Sequence, residues 1–165
     1  MSDFGPTDQR LCRVKARMPG FPVDAMRLVR MTNHLHKTIR DRTNALLKKH
    51  DLSDSSYTVL AILYGSVDES ASGSELSEAC HEKPANLTRV CDELVARGLI
   101  ERRPKPGDRR AVVLTLSERG RGLAEQAIPQ VSNMVAEACG DFEPGELQQL
   151  SRLYARLLAN LDERA

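Results

Sequence analysis

The sequence predicts a mainly α-helical chain with one small β-hairpin, and three observations lead there. Apolar residues recur at helical spacing over most of the length. Near residues 99–116 that period gives way to two short runs, the second rich in β-branched residues, separated by Pro104, Pro106 and Gly107. Within residues 102–110 five basic side chains (Arg102, Arg103, Lys105, Arg109 and Arg110) face a single acid, Asp108, a local balance of +4 in a chain of formal net charge +1. A helix followed by a cationic hairpin is the layout of a winged helix-turn-helix, in which the helix enters the major groove of duplex DNA and the hairpin reaches the neighbouring backbone or minor groove.

Composition sets the bounds. A chain of 165 residues, 41% hydrophobic and without tryptophan, can bury one helical, aliphatic core. The opening residues, MSDFGPTDQR, hold no apolar run, and no stretch approaches the roughly 20 apolar residues that a membrane span requires. A cytoplasmic protein without a membrane partner is expected. The four cysteines, Cys12, Cys80, Cys91 and Cys139, lie far apart with no CxxC pair, so a disulfide framework is not expected and a reducing compartment fits.

Along the chain, Gly5, Pro6, Pro19, Gly20 and Pro22 predict an irregular N-terminal arm over residues 1–23. From Asp24, read as an N-cap, to His50, the residues Leu28, Met31, Leu35, Ile39 and Leu46 mark a long helix with one apolar stripe. Ser53 caps a second helix that buries Tyr57, Val59, Leu60, Ile62 and Leu63 before Gly65 stops it, and residues 66–73 read as a polar turn. Ser72 and Glu75 have capping-box spacing, which starts a short helix burying Leu76 and Ala79. Four residues, HEKP, lead to the next helix, with Pro84 tolerated in its first turn. This is the length of a helix-turn-helix. In its second helix Leu87, Val90, Cys91, Leu94 and Val95 form the buried face, Asn86, Thr88 and Arg89 face outward near the start, and Asp92 and Glu93 follow. Phosphate repels acids, so the first turns are the part that meets DNA. Gly98 ends this helix.

Residues 99–103 and 111–116 form the two strands, and Ser117 caps a helix that runs to about Cys139, with a kink expected at Pro129. A last helix from about Pro144 carries Leu147, Leu150, Leu153, Tyr154, Leu157, Leu158 and Leu161. These outer helices hold more apolar stripe than a compact central unit can cover, and a homodimer built as a helical bundle from both chain ends would bury it. The expected organisation is therefore an arm (1–23), dimerisation helices (24–50 and 118–165) and a winged helix-turn-helix (51–117), intertwined as a single domain.

The order of these elements, the string SELSEACHEKPANLTRVCDELVARGLIERR and the string DRRAVVLTLSERG together resemble the MarR family of bacterial transcriptional regulators. The family's wing carries an Asp-x-Arg motif, here Asp108, Arg109 and Arg110, and a Leu-Thr-x-x-Gly-like helix start, here Leu116, Ser117, Glu118, Arg119 and Gly120 with Ser in place of Thr. The likeness extends from about Asp24 to Arg164, and the Phe21-Pro22 pair is similar to the arm of the family's efflux and stress repressors. The resemblance implies a homodimeric repressor on a pseudo-palindromic DNA operator, released by a small aromatic or phenolic effector or by oxidation, with no cofactor and no enzyme activity.

Particular residues can then be assigned expected roles. Arg89, one turn into the recognition helix, matches a position where the family often uses a basic residue to read bases. An arginine fork can take guanine O6 and N7 together, although pairing with Asp92 or Glu93 would leave it a surface residue. Lys83, Asn86 and Thr88 are expected at phosphates. In the wing Arg103, Lys105, Arg109 and above all Arg110 are expected on DNA, with Asp108 organising the arginines beside it. The family's effector pocket generally lies between the dimer helices and the winged unit, where Arg30, His34, His36, Arg42, Tyr57 and Tyr64 could match an aromatic carboxylate or phenolate. Cys91 reads as an inert buried thiol. Cys12 lies beside Arg10, Arg13 and Lys15, a cationic setting that could favour a thiolate, which keeps open a thiol-based redox-sensing regulator. Two further alternatives are a thiol redox enzyme using Cys12 or Cys80 and a winged helix that binds an acidic protein. Cys80 and His81 are adjacent, but no second Cys/His cluster has metal-ligand spacing.

Overall fold

The computed structural model describes residues 4–105 and 108–163, except for the side chains of residues 105 and 108–111. The elements run α1 (Gly5–Arg17), α2 (Val23–Leu47), α3 (Asp54–Gly65), β1 (Ser70–Ser72), α4 (Gly73–Ala79), α5 (Pro84–Ala96), β2 (Ile100–Lys105), β3 (Asp108–Leu116), α6 (Glu118–Ala138) and α7 (Glu146–Asp162). The chain forms two compact units, one ending at Val131 and the other beginning at Ser132. The mainly helical fold with a small antiparallel hairpin is as the sequence predicts.

The expectation of an irregular arm over residues 1–23 is corrected by α1. Pro6 falls in that helix's first turn, where a missing N–H costs nothing, and Pro19, Gly20 and Pro22 all lie beyond its last residue. Leu11 is buried, and Arg27 of α2 donates from Nε to the Asp8 carboxylate at 2.5 Å, tying α1 to α2. Asp24 does not cap α2. That helix starts at Val23, and Asp24 sits in its first turn, accepting from Arg27 Nη1 at 2.6 Å.

The core of the first unit gathers Leu47 of α2, Val59, Leu60 and Leu63 of α3, Leu76 of α4, Val90 and Leu94 of α5, and Leu99 and Ile100 at the start of the hairpin. Leu76 is buried as expected, whereas Ala79 is exposed on the last turn of α4. The capping box is formed: Ser72 Oγ accepts from the Glu75 N–H at 3.2 Å, and a Glu75 carboxylate oxygen accepts from the Ser72 N–H at 2.6 Å.

The polar turn expected over residues 66–73 contains a third strand. β1 pairs antiparallel with β3 (Ser70 with Thr115, Ala71 with Leu114), giving the sheet order β1-β3-β2. Only Ala71 of this strand is buried, so no apolar alternation marks it in the sequence. β2 pairs with β3 from Ile100 opposite Leu116 to Arg103 opposite Val113, and the register shifts between Pro104 and Lys105.

Three helix ends close in the same manner, on a left-handed residue. They are Asp51 (φ 57°) after the 3-10 turn that follows α2, His81 (φ 51°) after α4, and Gly98 (φ 67°) after α5. In each, the following N–H reaches back to the last turn: Leu52 to the Leu47 carbonyl at 3.3 Å, Glu82 to Ser77 at 3.2 Å, and Leu99 to Leu94 at 2.9 Å. Only Gly98 announces such an end in the sequence; the other two place a side chain where glycine is preferred.

Ser117 Oγ accepts from the Gly120 N–H at 2.9 Å and donates to the Leu99 carbonyl at 3.0 Å, so the cap of α6 also fastens it to the base of the hairpin. A β-carbon at Gly120 would lie 1.9 Å from the Leu99 carbonyl oxygen, closer than any contact allows. The glycine of the SERG run is thus a packing requirement. α6 continues through Pro129, with Ala124, Ala127 and Val131 buried. In the second unit α7 starts after Gly145 (φ 92°), and none of its residues is buried.

The Gly120→Ala variant is expected to lose about 1–3 kcal/mol of stability, because backbone must move to admit the methyl group. Urea unfolding of the full chain measures it. An unchanged midpoint would contradict the close approach of α6 to Leu99.

Candidate nucleic-acid interface

One face of α5 is apolar and buried, which settles what the other can do. Leu87, Val90, Cys91 and Leu94 are all at most 4% exposed, packed against α3, α4 and β2. The outward side of the first turns presents Lys83, Thr88 and Arg89 to solvent, with Asn86 half-buried among them. Lys83 is the N-cap residue and Pro84 starts the helix, so the cationic side chains gather at the end where the helix dipole is positive. This is an anion-facing surface on a rigid element.

Each of these side chains has a definite setting. Thr88 Oγ1 donates to the Pro84 carbonyl at 2.9 Å, leaving its lone pairs outward. Arg89, with 68% of its side chain exposed, donates from Nη2 to Asn86 Oδ1 at 3.1 Å and has Glu93 3.8 Å away. The Arg89 side chain is thus exposed, and an acid sits one turn behind it. Asn86 Nδ2 in turn donates to Glu82 Oε2 at 2.7 Å. Glu82 went unnoticed in the sequence, where HEKP reads only as a connector. Its carboxylate also accepts from Ser55 Oγ at 2.7 Å, and these hydrogen bonds, first from Ser55 and then from Asn86, hold its pKa below the usual glutamate value. Asn86 is only four residues on, but Ser55 lies 27 residues back on α3, and apolar periodicity carries no sign of either contact.

The wing's charge is redistributed by pairing. Arg102 is bound to Asp92 of α5, and Arg103 donates to Glu101 from Nε at 3.0 Å and from Nη2 at 2.7 Å. The first two cations of the hairpin are thus matched, one by α5 and one by the hairpin itself. The side chains of Lys105, Asp108, Arg109 and Arg110 lie outside the described ones; their backbones form the last residue of β2 and the first of β3. Asp92, expected only as a residue that phosphate repels, fastens the hairpin to α5.

The candidate effector residues separate. Arg30 and His34 line one cleft of about 470 Å³ between α1 and α2, together with Phe4, Arg10, Leu11 and Val14. Phe4 meets His34 edge to face, with centroids 6.0 Å apart. His36, Arg42, Tyr57 and Tyr64 do not line it. His36 and Arg40 instead lie near Asp54, whose Oδ2 is 3.7 Å from Arg40 Nε and whose pKa burial raises despite the opposing pull of Arg40. Tyr57 is half-buried nearby, its phenol pKa also raised by burial and by Asp54. Tyr64 is exposed at the end of α3, and Arg42 is exposed on α2. A larger cavity of about 700 Å³ opens between α4, α5 and the hairpin, lined in part by Ser77, Leu87, Thr88, Cys91, Arg102 and Leu114. No local pattern marks this cavity, because its walls come from three elements.

All four cysteines are free thiols. Burial pushes the Cys80 thiol up to about 11, with Cys91 and Glu82 adding to the rise, and burial likewise raises Cys91. Both stay protonated at neutral pH, which opposes a redox role that needs a thiolate. Cys12 is exposed on α1. Among the described residues no group of three or more His, Cys, Asp or Glu could hold a metal ion, and no helix is long and apolar enough to cross a membrane. Iodoacetamide at neutral pH is expected to modify Cys12 before Cys80 and Cys91, read by peptide mass mapping over time. Earlier labelling of Cys80 would contradict its burial.

Comparison with known proteins agrees with this geometry. The family model described as the MarR family matches residues 52–112, from the start of the α3 region into β3. The transcriptional repressor MprA of Escherichia coli K12 is 31% identical over 162 residues, covering 98% of this chain and 92% of its own. Among solved structures, wild-type apo MarR of Escherichia coli is 25% identical with a TM-score of 0.65, covering 79% of this chain and 96% of that one. A mutant MarR of Escherichia coli complexed with operator DNA is 24% identical with a TM-score of 0.71, covering 82% and 96%.

Proposed function

The chain belongs to the MarR family, and from that premise we propose that it is a homodimeric, DNA-binding transcriptional repressor, released from a pseudo-palindromic operator by a small aromatic or phenolic effector. The observation that carries the reading is the outward, cationic first half of α5 beside a hairpin whose first two arginines are matched by acids. That matching leaves the excess positive charge with Lys105, Arg109 and Arg110 toward the turn. Arg89 reads base edges from the major groove, Lys83 and Thr88 meet phosphates, and the wing, Arg110 foremost, meets the neighbouring backbone. Asp108 organises the adjoining arginines. Arg103, held by Glu101, contributes to DNA as part of that base, and Asn86 contributes through Arg89. The role of the relative MprA as a transcriptional repressor supports the same conclusion. The protein acts where its DNA is, in the cytoplasm.

A dimer follows from uncovered apolar surface. Leu28, Met31, Leu35 and Ile39 of α2 are exposed in one helical row, and Leu147, Leu150, Leu158 and Leu161 of α7 are exposed as well. A second copy is the partner that would cover both, with residues 24–50 and 118–165 as dimerisation helices and residues 51–117 as the DNA-binding unit. A two-fold axis would place two copies of α5 in successive major grooves, with half-sites about 34 Å apart. Leu35→Glu together with Leu153→Glu is expected to shift the protein to a monomer in sedimentation velocity and to abolish tight DNA binding. A dimer that survives both changes would contradict this arrangement.

The DNA reading is tested by mobility-shift titration at two salt concentrations. Arg110→Ala should weaken operator and random duplex alike and lower the salt slope by about one ion per wing. Arg89→Ala should also relax sequence preference, by about 1–3 kcal/mol of discrimination. Equal loss on both duplexes for Arg89→Ala would reject base readout by that residue. For the effector, the cleft that holds Arg30 and His34 beside Phe4 and Arg10 pairs cations with apolar walls, a match for an aromatic anion. Arg30→Ala should abolish release of DNA by salicylate while leaving DNA binding intact. Response lost in Arg102→Ala and kept in Arg30→Ala would move the effector to the cavity beside α5.

A further inference from the structure

An acid in a surface built for phosphate needs a reason to be there, and Glu82 is such an acid, one residue before the N-cap of α5. Its backbone is fixed first. His81 takes the left-handed conformation, the Glu82 N–H donates to the Ser77 carbonyl at 3.2 Å, and Ser77 Oγ donates to the Glu82 carbonyl at 2.8 Å. Its side chain is fixed next, with one carboxylate oxygen taking Ser55 Oγ of α3 and the other taking Asn86 Nδ2 of α5, each at 2.7 Å. A carboxylate only accepts, so the asparagine must present its N–H₂ to Glu82 and its carbonyl oxygen to the opposite side. On that opposite side Asn86 Oδ1 accepts from Arg89 Nη2 at 3.1 Å. The guanidinium is thereby held by one nitrogen while most of the side chain stays exposed. Glu93, 3.8 Å from Nη1, holds it more loosely.

We propose that Glu82 is a specificity-determining residue that never touches DNA: through Asn86 it pre-orients the fork of Arg89 for base readout. Phosphate contacts tolerate a wandering cation, since a charge attracts a charge from many angles. Bidentate recognition of a base does not, and its discrimination is lost when the fork must be ordered at the moment of binding. Loss of the Glu82 link therefore acts on sequence preference and leaves general DNA affinity and its salt dependence in place. The inference rests on the DNA-binding reading of α5 and adds to it the residue that sets the reading geometry.

The test uses the full chain, a duplex recovered by the native protein from a random pool, and a scrambled duplex of the same length. E82M removes the acceptor at nearly constant size and is expected to weaken the selected duplex about tenfold. The scrambled duplex and the salt slope should be unchanged. E82Q should restore most of the preference, because its amide oxygen can still accept from Asn86 while the Ser55 hydroxyl turns to accept from its nitrogen. In an Arg89→Ala background E82M should cost no further discrimination. Equal weakening of both duplexes, unaltered preference, failure of E82Q to rescue, or an undiminished E82M effect without Arg89 would each overturn the proposal. If E82M does not fold, as judged by circular dichroism, Asn86→Ala takes its place with the same expected selective loss and the same contrary outcome. A native chain that prefers no duplex would remove the DNA reading itself, whereas native preference that survives E82M removes only the role of Glu82.

Discussion

The seating of α5 is the constraint on which the other features depend. Leu87, Val90, Cys91 and Leu94 turn one face of the helix into the core, and each fully buried aliphatic side chain is worth about 1.5–3 kcal/mol relative to exposure. With that face committed, Lys83, Thr88 and Arg89 have no direction but outward. The ends of the helix are fixed by independent means: the left-handed turn at His81 and the Glu82 contacts at its start, and the Gly98 turn that throws the chain directly into β2 at its finish. Helix and hairpin are thus a single rigid piece. Arg97 adds a clamp by donating to the Asp51 carbonyl at 2.6 Å, which fastens the end of α5 to the turn after α2.

Electrostatics divides the hairpin into two zones. Near its base, Asp92 and Glu101 hold Arg102 and Arg103, so those charges anchor the hairpin to α5 and to itself. Exposed pairs of this kind contribute at most about 1 kcal/mol each to stability, so their effect is better understood as aim than as strength. Toward the turn the sequence supplies Lys105, Arg109 and Arg110 with Asp108 as the one acid. A neutral protein thereby keeps a local positive field where the geometry needs one.

Much of this was legible in the sequence because it depends on local pattern. The buried face of α5 follows from its apolar spacing, the capping box at Ser72 and Glu75 from two residue types three apart, and the hairpin from β-branched residues around a Pro-Gly turn. The same local logic misled at the N-terminus, where a count of prolines and glycines over residues 1–23 hides that a proline in a first turn does not oppose a helix. It was blind to β1, whose single buried residue leaves no alternation. It was blind to Glu82, which gains Ser55 through the packing of α3 on α5 and Asn86 through the first turn of α5. Arg30 and His34 share a cleft with Phe4 and Arg10 only because the arm is a helix. Gly120 matches a motif in sequence, and its cause, the Leu99 carbonyl oxygen, is visible only in three dimensions.

In the proposed assembly two copies of one rigid unit of α5 and hairpin grip adjacent grooves of duplex DNA. Hydroxyl-radical footprinting of the full chain on a selected duplex tests it most directly. Protection is expected in two blocks related by two-fold symmetry, centred about one helical turn apart, flanked by wing protection on the outer backbone. A single unpaired block, or no protection at low ionic strength, would contradict it.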